Sequence, residues 1–174
     1  MMKLISNLLN KTSEEKVKEW RDELWEALPQ MFQDETDRYG INDEGNIAIK
    51  KGSATVFVDF GISEDGEFGW AIVYSPLVYL PKENLLPFYK RLLDINFDDS
   101  VFGTLSTDED VVYLNRTLVI EGPDEQDLMF NVVTLAEEAD DLDDYLVSEF
   151  GAQLVEVQVF EQQQIFKGGC HPSH

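Results

Sequence analysis

Two different spacings of hydrophobic residues divide this chain into helical and extended segments. The first clear segment begins at Thr12-Ser13-Glu14-Glu15, where the Thr12 hydroxyl and the Glu15 carboxylate can each bond to a free amide at a helix start. Apolar residues then recur at helical intervals. They are Val17, Trp20, Leu24, Leu28 and Met31. The pattern predicts a helix within residues 12–36, and Pro29 is expected to kink or end it because proline lacks the amide hydrogen that the helix needs.

The spacing changes to two residues from Asn46 onward, which predicts β-strands. Turn-forming sequences separate these strands at Lys51-Gly52-Ser53, Ser63-Glu64-Asp65-Gly66 and Thr107-Asp108-Glu109-Asp110. Ser75-Pro76 is expected to bend the chain. The predicted strands lie around Ile47 and Ile49, and at residues 55–60, 67–74, 101–106 and 111–119.

Two further helices follow from the apolar pattern. One begins near Glu83 or Asn84, since Pro87 is tolerated only in the first turn of a helix, and its buried stripe is Leu85, Phe88, Leu92 and Ile95. The other follows Gly122-Pro123 and ends at Phe150-Gly151. Its apolar stripe is Leu128, Val132, Leu135, Ala139, Leu142 and Leu146. This order of helices and hairpin-like strands predicts an α+β fold, an antiparallel sheet with helices packed on it.

The length of 174 residues favours one domain. We expect a short amphipathic lead-in over residues 1–11, an α+β domain over residues 12–150, and a C-terminal extension and tail over residues 151–174. Some strand-like alternation occurs between Leu154 and Phe160.

The charge of the chain restricts its partners. The formal net charge is −22, and thirteen acids but no Lys or Arg occur between Arg116 and Lys167. Phosphate backbones and anionic membrane surfaces would repel such a chain, so we expect neither nucleic acid nor membrane as a partner. A single cysteine, Cys170, excludes an internal disulfide framework and favours a reducing, cytoplasmic location.

The residues needed for catalysis are poorly represented. The histidines are His171 and His174, both in the predicted tail, so a nucleophile in the folded body would have no histidine as its base. Gly61, Gly66 and Gly69 lie in a hairpin region and do not form a phosphate-binding loop. We therefore predict a protein that is not an enzyme and has no cofactor. A paired-carboxylate hydrolase or a transferase ranks third, after the two non-catalytic functions described below.

Two groups of residues could hold a metal. Glu137, Asp141 and Asp144 share one side of the last predicted helix, but acids interleaved with an apolar stripe are typical of a solvated helix surface. Cys170, His171 and His174 follow Gly168-Gly169 and are too few to close a four-coordinate site alone. We predict no metal site.

The strands carry apolar residues on both sides, although antiparallel sheets commonly present one polar side to water. Either the helices and the tail cover both sides, or one side meets a partner, for which a second copy of the chain is the simplest case. The candidate partner or dimer surface is formed by Phe57, Phe68, Trp70, Ile72 and Tyr74.

Three blocks of sequence resemble a known family. They are Leu85-Leu86-Pro87-Phe88-Tyr89-Lys90-Arg91-Leu92-Leu93-Asp94-Ile95-Asn96 followed by Phe102-Gly103-Thr104-Leu105, then Val111-Val112-Tyr113-Leu114, then Leu135-Ala136-Glu137-Glu138-Ala139-Asp140. Over about residues 12–150 the order of these blocks is similar to the YbjN and type III secretion chaperone-like family, including its cyanobacterial branch of unknown function. The tail after Gly151 and the long first helix depart from that pattern.

The resemblance implies a strongly twisted antiparallel sheet, often a homodimer, with no catalytic residues, and secretion chaperones of this type bind extended segments of other proteins. We therefore expect a non-catalytic, chaperone-like or adaptor module that is a cytoplasmic homodimer and binds an extended or amphipathic segment of a protein partner. The alternative is a regulatory domain that senses a small ligand, for which Arg91 or Arg116 beside Tyr113 is the candidate site.

Overall fold

A computed structural model describes residues 11–32, 38–42, 45–99, 103–120 and 125–157. The predicted lead-in before residue 11, the Gly122-Pro123 helix start and the tail beyond residue 157 lie outside the described residues. The elements are, in chain order, α1 (Ser13–Met31), β1 (Arg38–Ile41), β2 (Ile47–Lys51), β3 (Ala54–Ile62), β4 (Gly69–Tyr79), α2 (Leu85–Asp94) with a π-helical turn (Ile95–Asp99), β5 (Thr104–Asp108), β6 (Val111–Ile120), α3 (Glu125–Phe150) and β7 (Gln153–Leu154).

The strands of the described ranges form one sheet of seven strands in the order β1-β2-β3-β4-β6-β5, and β7 pairs with the end of β4. Every neighbouring pair is antiparallel. β4 is therefore the central strand, with β3 on one side and β6 on the other. The described part of the chain also contains three helices, and the predicted α+β fold is confirmed.

The sequence predicted a bend at Ser75-Pro76, but β4 does not leave the sheet there. It continues to Tyr79, and its pairing with β6 shifts register between Pro76 and Val78. A β-bulge accommodates proline because the residue has no amide hydrogen for the ladder. The Ser75 hydroxyl is buried and donates to the Thr55 carbonyl oxygen at 2.9 Å, which ties β4 to β3 beside the bulge.

The capping box predicted at the start of α1 is confirmed. The Glu15 amide donates to the Thr12 hydroxyl at 3.2 Å, and the Thr12 amide donates to the Glu15 carboxylate at 2.9 Å. The helix ends at Met31, two residues after Pro29, and is therefore shorter than the predicted range of 12–36. β1 was not predicted at all, since four residues carry too little alternation to be distinguished from a loop.

All three helices pack on the same side of the sheet. Trp20 of α1, Phe88 of α2 and Leu135 of α3 belong to one buried cluster with Ala71 and Val73 of β4. Ala71 and Val73 are small, which lets α1 and α3 approach the centre of the sheet closely. The α3 stripe predicted from the sequence is buried in this cluster except for Leu142, which is half-buried.

A polar contact joins α3 to the β2–β3 turn. Ser53 donates its amide to Asp140 Oδ1 at 2.7 Å, and its hydroxyl lies 2.8 Å from the same oxygen and 3.0 Å from both oxygens of Asp143. Gly52 adopts a left-handed conformation with φ of +56°, and the Asp140 carboxylate fills the space where a Cβ would stand. The turn is thereby fixed against α3.

The carboxyl of Asp143 is almost completely buried, and burial raises its pKa to about 6, although the Ser53 hydroxyl opposes the shift. A carboxyl whose pKa is raised on folding binds its proton more tightly in the folded state. The favourable contribution of protonated Asp143 to the stability of the fold is therefore fully present below the unfolded pKa of 3.8. It is lost as the pH rises through about 6.

Replacing Asp143 by Asn should therefore stabilise the protein at pH 7.5 by about 1–3 kcal/mol, because the amide is uncharged and can donate to the Ser53 hydroxyl. Between pH 4 and pH 7 the variant should lose part of the pH dependence of its stability. The measurement is urea unfolding across this pH range. Asp141→Asn, at an exposed position of the same helix, removes the same charge and should change the pH dependence much less; equal curves for the two variants would contradict the assignment.

Candidate functional site

The side of the sheet opposite the helices carries a contiguous set of apolar and aromatic residues, which we call the open face. None of the described helices packs on it, because their buried residues all belong to the cluster on the other side. The alternation of residues along paired strands determines its members. They are Ala48, Lys50, Phe57, Asp59, Trp70, Ile72, Tyr74, Tyr113, Asn115, Thr117 and Val119.

Three aromatic residues form a row across the middle of the open face. Phe57 of β3 stands opposite Tyr74 of β4, and their rings are stacked with centroids 5.3 Å apart. The ring of Tyr113 on β6 lies 6.5 Å from that of Tyr74. Packing against Tyr74 leaves Phe57 only 8% exposed although no described helix covers it. The row offers a preformed surface for apolar groups, which the half-buried rings of Tyr74 and Tyr113 mainly provide.

Trp70 extends the open face toward the β3–β4 turn. It pairs with Gly61, and its indole lies across this glycine so closely that a Cβ at Gly61 would overlap the ring. Phe68, immediately before β4, is 39% exposed at the same end. The structure therefore brings together Phe57, Trp70, Ile72 and Tyr74, places Phe68 just before β4, and adds Tyr113 as a neighbour of Tyr74.

Acidic turns lie at both ends of β4. The β3–β4 turn carries Glu64, Asp65 and Glu67 beside Gly69, and the β5–β6 turn follows Asp108 beside Tyr79. The Ser63 hydroxyl donates to Asp65 at 2.6 Å and lowers the pKa of that carboxyl.

At the other end the charges reach the aromatic row. The pKa of Tyr113 is raised, first by burial and then by the negative charges of Asp108 and Glu109. Arg38 and Lys50 pair with each other on β1 and β2, on the open side but on the β3 flank of β4. The strip along β4 is itself apolar, with an acidic turn at each end and Asp59 beside Ile72.

A second apolar surface lies on α2, in the helical layer. Phe88 and Leu92 face the core, and the Phe88 ring meets the Phe150 ring edge to face at 5.1 Å. The opposite side of the helix and its π-helical turn is also apolar, which the sequence reading missed although the pattern was visible. We call this surface the α2 stripe; it consists of Leu86, Tyr89, Leu93 and Phe97, which are 80%, 37%, 67% and 88% exposed. Leu85, predicted as buried, is 41% exposed.

The predicted small-ligand constellation is not assembled. Arg91 donates from Nε to the Tyr145 hydroxyl at 2.8 Å and its guanidinium lies over the Tyr145 ring, in the helical layer. Arg116 and Tyr113 are three residues apart on β6, so they lie on opposite sides of the sheet. A surface depression along α1, between Lys11 and Glu26, is lined by charged side chains.

The metal candidates give no assembled site either. Glu137, Asp141 and Asp144 are exposed on α3, and no group of three metal-ligating side chains occurs within the described ranges. Cys170, His171 and His174 lie outside the described residues. No described helix is long and apolar enough to cross a membrane.

Comparison with known families agrees with the observed fold. Residues 19–157 match the family described as T3SS (YopN, CesT) and YbjN peptide-binding chaperone 1. The chain belongs to this family. No curated protein matches it. Membership confirms the resemblance noted in the sequence and supports a non-catalytic, chaperone-like role with a protein partner.

The close packing of Trp70 over Gly61 in this family member can be tested. Gly61→Ala should push the indole away from β3, because the new methyl group would occupy its position. We expect a loss of about 1–2 kcal/mol of stability and a red shift of tryptophan emission.

The control is a double-mutant cycle with Trp70→Ala. If the indole is the cause, Gly61→Ala should cost little in the Trp70→Ala background, because the clash is then absent. An equal loss in both backgrounds would locate the strain elsewhere.

Proposed function

We propose that this protein binds an extended segment of another protein along the open face and acts as a non-catalytic chaperone or adaptor. The observation that carries the proposal is the contiguous row of Phe57, Tyr74 and Tyr113, continued by Ile72 and Trp70, on a sheet side that no described helix covers. Contiguous apolar patches of this kind mark interaction sites in proteins. Membership of a peptide-binding chaperone family supports it.

An extended segment suits the shape of this surface. The strip is narrow and follows one strand, β4. It offers alternate side-chain positions to a bound segment, whereas a helix requires a deep groove. Backbone ladder bonds to β4 are already used by β3 and β6, so affinity has to come from side-chain contacts. Burying apolar surface contributes about 25 cal/mol per Å², and the row of aromatic rings supplies most of it here.

We further propose that the protein is a cytoplasmic homodimer joined through the α2 stripe. Leu86, Leu93 and Phe97 are too exposed and too apolar for a side of a helix that meets only water. The stripe is also close to balanced in charge, since Lys82, Lys90 and Arg91 accompany Glu83, Asp94, Asp98 and Asp99.

The mixed charges around the α2 stripe support a second copy of the chain as its partner, although the rest of the surface disfavours one. Two chains with a net charge of −22 repel each other over most of their surfaces. Lys90 pairs with Asp94 at 2.6 Å within one helix. In a two-fold pair of antiparallel α2 helices, Lys90 of each copy could bond to Asp94 of the other copy instead. The stripe lies in the helical layer, so dimerisation would leave the open face accessible.

The binding proposal is tested by selecting displayed random decapeptides on the protein. The selected peptides should compete with one another and should bind Ile72→Asp at least tenfold more weakly, because the aspartate places a charge in the middle of the open face. Phe130→Asp is the matched control, since Phe130 is 55% exposed on α3 in the other layer. Circular dichroism verifies that both variants fold. Peptides that bind both variants equally would contradict the proposal.

The dimer proposal is tested by light scattering coupled to size-exclusion chromatography. Wild-type protein at micromolar concentration should have twice the mass of one chain, and Leu93→Asp with Phe97→Asp should reduce it to one chain mass. Phe130→Asp again serves as the control and should stay dimeric. A monomeric wild-type protein, or a dimer that survives both aspartates, would refute the assignment.

A further inference from the structure

The arrangement of charge around β4 identifies the class of segment that the open face takes. The strip of Trp70, Ile72 and Tyr74 runs along β4, which has 11 residues and a length of about 33 Å at 3.3 Å per residue. The apolar side chains occupy the middle of this length. Acidic residues occupy the two ends, on turns that the antiparallel pairing of β4 with β3 and β6 places at opposite ends of the strand.

The end near Gly69 is negative. Glu64, Asp65 and Glu67 follow one another in the β3–β4 turn and are exposed. The bonds from Ser63 Oγ and the Glu67 amide to Asp65 hold the turn in shape and lower the pKa of Asp65. Asp59 on β3 pairs with Ile72, so one acid also borders the middle of the strip on the same side of the sheet. The lowered pKa keeps the Asp65 carboxyl charged at neutral pH.

The end near Tyr79 is negative as well. Asp108 lies on the open side of β5, and Glu109 and Asp110 form the turn into β6. The Leu80 amide donates to the Asp110 carbonyl oxygen at 2.7 Å, which fixes this turn beside the end of β4. Lys82 and Glu83, which follow β4, offset each other in charge. Lys50 lies toward this end too, two strands from β4 on the β3 side, so Asp108, Glu109 and Asp110 make the β6 side, near Tyr113, negative.

We propose that the open face binds an extended segment of about ten residues with an apolar middle and basic residues at both ends. The apolar middle would contact Trp70, Ile72 and Tyr74, and the two basic ends would lie against the β3–β4 and β5–β6 turns. This inference rests on the proposed function and adds the charge pattern of the ligand. A cluster of basic residues in the middle of the segment is disfavoured, because most of its charges would be desolvated on the aromatic strip, where the described strands place a single acid, Asp59 beside Ile72.

The test uses three synthetic decapeptides and fluorescence anisotropy with the full chain. One has lysines at both ends, Lys-Lys-Ile-Thr-Val-Thr-Val-Thr-Lys-Lys. The second has the same composition with its lysines in the middle, Ile-Thr-Val-Lys-Lys-Lys-Lys-Thr-Val-Thr. The third replaces every lysine of the first by serine. We expect the first to bind at least tenfold more tightly than the other two, with an affinity that falls as salt is raised from 50 to 300 mM.

Charge-neutral variants assign the effect to the two turns. Glu64→Gln with Glu67→Gln changes one turn, and Glu109→Gln with Asp110→Asn changes the other; each should weaken binding of the first peptide about three- to tenfold. Glu137→Gln with Asp141→Asn removes the same charge from the exposed side of α3 and should have little effect. Asp65 is left unchanged because it holds its turn together.

Each outcome decides between the proposals. Equal binding of the first two peptides, or turn variants that behave like the α3 control, would overturn the charge pattern while the proposed function stands. An effect confined to one turn would also overturn it, since the segment would then be basic at one end. If none of the three peptides and no selected peptide binds, the proposed function itself fails.

Discussion

The packing of helices on one side of β4 is the constraint on which the rest of the structure depends. Ala71 and Val73 are completely buried beneath α1 and α3, and because successive residues of a strand point to opposite sides, Trp70, Ile72 and Tyr74 must then face away from the helices. The core and the open face are thus two consequences of one alternation. A change that shifted β4 by a single residue would exchange them.

Two features preserve this arrangement where the sheet is least regular. The bulge at Pro76 lets β4 continue to Tyr79 with a proline in it, and the buried Ser75 hydroxyl bonds to β3 at the same place. The contact of Ser53 with Asp140 and Asp143 holds the β2–β3 turn against α3. Burial of Asp143 in that contact raises the pKa of its carboxyl. The hairpin that carries Phe57 is held by this polar contact as well as by apolar packing.

The proposed surfaces lie in different layers and have different charge environments. The open face is an aromatic strip between acidic turns, whereas the α2 stripe is surrounded by a nearly balanced set of charges. In a chain with a net charge of −22 this difference suits two kinds of partner, a basic segment on the sheet and a like-charged copy on the helix. Both could be occupied together, because the sheet separates them.

The alternation and helical spacing in the sequence determined the element order, the α+β class, the capping box at Thr12 and the residues Phe57, Trp70, Ile72 and Tyr74, now found together at one side of β4. These are local properties, since a spacing of two or of three to four depends on a few neighbouring residues. What covers each side of a strand is not local. The sequence left both sides of β4 equally apolar, and the choice between them came from where α1, α2 and α3 pack. The same tertiary contacts separated Arg91 and Arg116 from Tyr113, exposed the second apolar side of α2, and brought the acidic turns to opposite ends of the open face, because antiparallel pairing places residues distant in the chain beside each other.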